Sequence, residues 1–151
     1  MKNKNLERYL NSFANNVLKD SRSILKSTKG STKLAGSLRV DVSPDPNGFS
    51  VKFYMADYGT FIDKGVSGTK NPISYTAGTK IKSSPYKYTT KQPPSSVLDK
   101  WIVKKGIAPR DEKGRFVSRK SIAFLIARSI KLKGIKSTSF FSRPLGINYK
   151  E

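Results

Sequence analysis

Residues 37–56 alternate apolar and polar side chains on either side of a dense turn sequence, and this constrains the fold more than any other feature of the chain. Leu38, Val40 and Val42 are separated by Arg39 and Asp41. Phe49, Val51, Phe53 and Met55 are separated by Ser50, Lys52 and Tyr54. Between the two runs lies Pro44-Asp45-Pro46-Asn47-Gly48, where proline pre-sets the backbone, Asp and Asn bond their own main chain, and glycine accepts positive φ. A period of two puts all the apolar residues on one side, so 37–56 reads as a β-hairpin with one apolar face. Before it, Leu6, Leu10, Phe13, Val17 and Ile24 recur at steps of 4, 3, 4 and 7, the stripe of an amphipathic helix over 6–26. The change of period from 3.6 to 2 predicts an α+β domain. An antiparallel sheet built on the 37–56 hairpin is packed by this N-terminal helix and by two C-terminal helices. The 151 residues suit a single domain.

Residues 27–37, rich in Ser, Thr, Lys and Gly, read as a linker. Tyr58 to Gly65 is a short helical stretch at most, stopped by Gly65. Residues 66–95 hold ten Ser/Thr, four Pro, five Lys, three Tyr and no acid. A stretch of that kind builds no core of its own, and it is expected to be a protruding extended arm, ordered only against a neighbour. Ser96, with Asp99 three residues on, looks like the cap of a helix over 96–105 that Gly106 ends. Residues 107–117 are a polar connection. Ser118 can cap a helix over 119–133 whose apolar stripe is Ile122, Leu125, Ile126 and Ile130, with Lys120, Arg128 and Lys131 opposite. Gly134 stops it, and 136–147 is a closing segment able to supply a last strand.

The net charge is +20, from 30 Lys and Arg against 10 Asp and Glu. Residues 37–65 are nearly neutral, with 3 basic and 4 acidic groups, whereas 99–151 carry 14 and 4. Such a field attracts nucleic acid, an anionic membrane or an acidic protein. The 22 Lys to 8 Arg argue against sequence-specific DNA readout, which leans on the bidentate fork of arginine. Without Cys there is no disulfide framework, zinc finger or thiol chemistry, and without His no histidine-based catalysis or metal site. The densest apolar run, Ile122 to Ile130, is far short of the ~20 residues that span a bilayer. No secretory signal is visible, so the expected compartment is a cytoplasm.

Little here suggests chemistry. Asp41, Asp45, Asp57 and Asp63 lie near one another in sequence, and a metal nuclease could in principle use such a set. But Asp45 sits in a turn that wants Asp for conformational reasons, and Asp41 is on the polar side of its strand. Gly65-x-x-Gly68 with Lys70 is too sparse for a phosphate loop. No catalytic residue, cofactor or metal ligand is expected. Lysines interleaved with Tyr86 and Tyr88 between Lys82 and Lys91 suit either a single-stranded nucleic acid or a neighbouring protein, and the second is preferred.

Taken in order, the pieces resemble a family: the tail-completion or head–tail connector (neck) proteins of tailed bacteriophages, in the minor tail-component group. Its pattern is an N-terminal amphipathic helix, a Gly-x-Leu element opening a hairpin, Tyr-x-x-Phe/Val-(Ile/Val)-(Glu/Asp)-x-Gly, a variable insert, a helix, and a closing Phe-(Phe/Leu)-x-x-Pro-(Ala/Leu). This chain has Gly36-Ser37-Leu38, then Tyr58-Gly59-Thr60-Phe61-Ile62-Asp63-Lys64-Gly65, then Phe140-Phe141-Ser142-Arg143-Pro144-Leu145. The insert is longer than usual for the family. The resemblance implies a structural, non-enzymatic virion protein: a homo-oligomeric ring, sixfold or twelvefold, stacked between portal or adaptor and tail proteins, with double-stranded DNA passing through its lumen. It would be made in the host cytoplasm and end in the virion neck or tail. The candidate assembly residues are Tyr58, Gly59, Phe61, Ile62, Gly65, Phe140, Phe141 and Pro144. Candidate contacts with DNA phosphate or an acidic partner are Lys80, Lys82, Lys87 and Lys91 on the arm and Lys120, Arg128 and Lys131 on the last long helix. The alternative is a small basic DNA-binding protein, such as a nucleoid or replication accessory factor.

Overall fold

The computed structural model describes residues 3–28 and 32–149. The fold is α+β, with helices around small antiparallel sheets. Helix α1 runs Lys4–Ser27, started by the Asn3 side chain, which accepts a hydrogen bond from the Leu6 amide at 3.2 Å. Its buried residues are Ala14, Val17, Leu18, Ser21 and Leu25. That line lies roughly 70° round the helix from the predicted stripe, and Leu6, at its start, is exposed. Ala14 and Ser21 are small, so this side comes close to its neighbours, while the larger Leu10 and Phe13 flank the contact.

Residues 27–37 are not a plain linker. Although residues 29–31 lie outside the described residues, Thr32–Ser37 forms a short helix, α2, and its Leu34 is fully buried. The hairpin is as expected: β1 (Arg39–Asp45) pairs with β2 (Gly48–Tyr54) in the register Val40↔Phe53 and Val42↔Val51. The Arg22 guanidinium donates to the Leu38 carbonyl at 2.7 Å, tying α1 to the start of β1. Leu18, Leu25, Leu34, Leu38 and Phe140 form the main core, and Phe53, Met55, Ile62 and Phe141 pack against it. The Phe53 and Phe141 rings meet edge to face, their centroids 5.2 Å apart.

Helix α3 (Gly59–Lys64) ends at Gly65, whose φ is +71°. Strand β3 (Val66–Ser67) then pairs with β6 (Gly134–Ile135). A side chain at residue 65 would put its Cβ 2.6 Å from the Ile135 carbonyl oxygen and 2.8 Å from the Ser137 nitrogen. Both the dihedral and the space demand glycine. Gly65→Ala is expected to cost about 2–3 kcal/mol, read as a lowered denaturation midpoint. An unchanged midpoint would refute this account of the turn.

The 66–95 segment is not a free arm. Strands β4 (Ser74–Ala77) and β5 (Lys80–Ser83) form a second hairpin. It is held at both ends by long-range bonds: near the turn Thr76 N donates to Ser139 Oγ at 2.8 Å, and at the base Ser84 Oγ donates to the Gly65 carbonyl at 2.7 Å. The partners come from outside the segment, the Ser139 hydroxyl and the Gly65 carbonyl, and Ser84 is the segment's own side chain that reaches one of them.

The two C-terminal helices, α4 (Ser95–Lys105) and α5 (Arg119–Lys133), pack chiefly on each other rather than on the β1–β2 hairpin. They enclose a second core of Ile102, Ile122 and Ala123, with Leu98, Ile107, Val117 and Ile126 around it. Ser118 caps α5 as predicted, accepting from Ser121 N at 3.3 Å. Ser96 caps nothing: it lies inside α4, and Asp99 instead faces Arg119 at 3.7 Å. Leu125, expected inside, is exposed, because Ala123 and Ala127 take the buried positions and bring α5 close to α4. The closing segment, 136–147, supplies no strand: the two residues of β6 precede it. It forms helix α6 over Ser142–Asn148, with Pro144 in the first turn, where a missing N–H costs no helical bond. Among the described residues the strands form three two-stranded sheets, not one larger sheet. No helix there is long and apolar enough to cross a membrane.

Candidate functional site

The motif Tyr58–Gly65 occupies α3 and its flanks, and one side chain in it does work the sequence did not reveal. Asp63 is almost wholly buried. Its Oδ1 accepts from Phe141 N at 2.9 Å and Ser142 N at 3.0 Å, and its Oδ2 from the Ser142 hydroxyl. The main chain runs alongside: Thr138 N donates to the Ile62 carbonyl at 3.0 Å and Ser139 N to that of Asp63 at 2.9 Å. A carboxylate at the first turn of α6 meets free amides and the positive end of the helix dipole. The two short motifs, 78 residues apart, are thus clamped together. Every oxygen of Asp63 is committed to this contact. Asp41 and Asp57 lie on the surface and Asp45 accepts from Asn47 N in its own turn. Among the described residues no three His, Cys, Asp or Glu come together as a metal site would need.

On the other side of α3 the motif faces outward. Tyr58, Phe61 and Ile62 line an open groove of about 830 Å³, closed by Pro85, Tyr86 and Tyr88 and floored by Val66 and Ile135. The Phe61 and Tyr86 rings touch, centroids 4.6 Å apart. Phe61 nevertheless keeps 43% of its surface exposed, and Tyr58 is similarly open. The 85–89 stretch is held beside β3 by Ser67 N donating to the Tyr86 carbonyl at 2.8 Å and Tyr88 N to that of Ser67 at 2.9 Å. Burial pushes the Tyr88 phenol above its ordinary pKa of 10.0. The site is apolar and aromatic, with Lys87 as its cation. It is fitted to hold apolar side chains rather than to move protons.

The other predicted assembly residues are internal. Gly59 is buried, Phe140 is in the core, and Phe141 and Pro144 sit at the start of α6. The predicted cations are dispersed. Lys80 and Lys82 are exposed on β5; Lys87 and Lys91 line one shallow depression ending at Pro94; Lys120 and Arg128 are exposed on α5. Lys131 is half-buried, and its carbonyl accepts from Thr69 N at 2.9 Å.

Two features escaped the sequence reading. The Asp63 clamp left no signal, since its acceptor role depends on amides every residue has. The outward-facing Phe124 and Leu125 did leave one: 119–133 carries large apolar residues on both of its faces. The chain matches no family model, no curated protein and no solved structure.

Proposed function

We propose that this chain is a structural virion protein, a ring-forming component of the neck of a tailed phage, assembling between portal or adaptor and tail proteins with DNA passing through the lumen. The observation that carries the reading is the two-sided use of the Tyr58–Gly65 motif. Asp63 locks it inward to the closing Phe140-Phe141 segment, while Tyr58 and Phe61 stand outward in an aromatic groove. A lone protein gains little from large aromatics left in an open groove, whereas a neighbouring copy that fills it removes them from water. The chain carries no chemistry in this reading and is not an enzyme.

Mass measurement with particle imaging of the purified protein tests it, with sixfold or twelvefold rings expected. Phe61→Asp puts a charge into the groove at a half-exposed position. It is expected to lower the melting temperature by only a few degrees, since the ring is already 43% exposed and its one ring contact among the described residues is with Tyr86. It should also raise the concentration needed for assembly by about tenfold or more. A variant that assembles like wild type rules out this groove as the interface.

Duplex DNA is expected to bind weakly and without sequence preference, each neutralised phosphate adding about 0.9 to the salt slope. Nanomolar, sequence-selective binding by a dimer would instead support a dedicated DNA-binding protein and overturn the ring.

A further inference from the structure

The α4–α5 pair has its own core and an outer surface that nothing among the described residues covers. On α5, Phe124 is 52% and Leu125 60% exposed, and both line a shallow depression with Lys120, Ser121 and Ser95. Arg128 lies one turn further along α5, also exposed. Helix α5 contains no acid at all, and residues 95–133 carry 11 basic side chains against 3 acidic. Two of those three are already engaged, Asp99 with Arg119 and Asp111 with Arg115 at 3.0 Å. The surface therefore joins two demands: apolar side chains to be covered, and, beside them, Lys120 and Arg128, which have no ion-pair partner among the described residues.

Each class of occupant meets these demands differently. Duplex DNA answers the charge but presents phosphates, which leave Phe124 and Leu125 uncovered. A second copy can cover the apolar residues but brings another +20 toward a basic face. An acidic segment with large apolar residues on one side satisfies both, its apolar side over Phe124 and Leu125 and its carboxylates toward Lys120 and Arg128. We infer that the outer face of α5 docks an acidic amphipathic helix of a partner protein. The inference stands apart from the ring: it uses a different surface and would hold for a monomer.

The test uses the full chain and a fluorescent, designed helical peptide of about 20 residues, with Leu and Phe at heptad spacing and Glu elsewhere. A second peptide has the same composition scrambled to destroy the apolar stripe. In anisotropy titrations at physiological salt, the amphipathic peptide is expected to bind about tenfold or more tightly than the scrambled one. Phe124→Ala with Leu125→Ala, and separately Lys120→Glu with Arg128→Glu, should each weaken it by about tenfold or more. All four positions are exposed, so both variants should melt close to wild type, and neither should alter the oligomer seen by mass measurement. Equal binding of the two peptides would overturn the proposal, since charge alone would then explain it. So would loss of oligomers in the Phe124/Leu125 variant, which would make the face a self-contact. So would displacement of the peptide by a short duplex, with duplex binding equally weakened in that variant, which would make it a nucleic-acid surface. Failure of the Phe61→Asp test leaves these outcomes untouched.

Discussion

Phe140→Ala is expected to destabilise the protein by about 3–5 kcal/mol, the cost of emptying a fully buried aromatic site. Phe140 comes from near the end of the chain yet sits among Leu18 and Leu25 of α1, Leu34 of α2 and Leu38 at the start of the hairpin. Its ring is the piece on which those separately formed elements converge, so its loss removes contacts from all of them at once. Domains hold only about 5–15 kcal/mol in total, so the variant should be near the edge of folding. At this size each kcal/mol moves the midpoint by about 2–4 °C, so a fall on the order of 10 °C is expected in a thermal melt. Phe116→Ala is the control. Its ring is largely exposed, with the Arg110 guanidinium 4.0 Å from its centroid, and its removal should cost about 1 kcal/mol or less. Equal shifts in the two variants would show that Phe140 does not anchor the core.

Asp63→Ala is expected to cost about 3 kcal/mol, because it strands the amides of Phe141 and Ser142 and the Ser142 hydroxyl at a half-buried junction. Asp63→Asn keeps one oxygen for the amides and offers an N–H to the serine hydroxyl. It should lose only about 1 kcal/mol, the charge-assisted part. The two variants thus separate a clamp from mere packing. The local readout is amide exchange: in Asp63→Ala the Phe141 and Ser142 amides should exchange faster than those of β1 and β2. If alanine and asparagine are equally tolerated and exchange at residue 141 is unchanged, the clamp is not what joins the two motifs.

The hairpin, the long first helix, the cap at Ser118 and the stops at Gly65, Gly106 and Gly134 follow from local chemistry, and they were legible for that reason. Period-two alternation around Pro44–Gly48 specifies a turn whatever else the chain does, and a glycine that must adopt positive φ marks its own position. Composition likewise carried the charge and the absence of thiol and imidazole chemistry. Periodicity says that a helix has an apolar side but not what covers it. Hence Ile122 and Ile126 were correctly inside while Leu125 was not, and α5 found α4 rather than the hairpin. The closing segment looked extended because Phe140 and Phe141 are adjacent, yet a carboxylate arriving from residue 63 starts a helix there. The 66–95 segment looked unfoldable by composition, yet Ser139 and Gly65 supply hydrogen-bond partners that its own residues lack. Local sequence determined which elements form. Only the tertiary structure decided how they meet, because those contacts join residues tens of positions apart, through apolar side chains whose partners no local pattern names and through backbone groups that every sequence has.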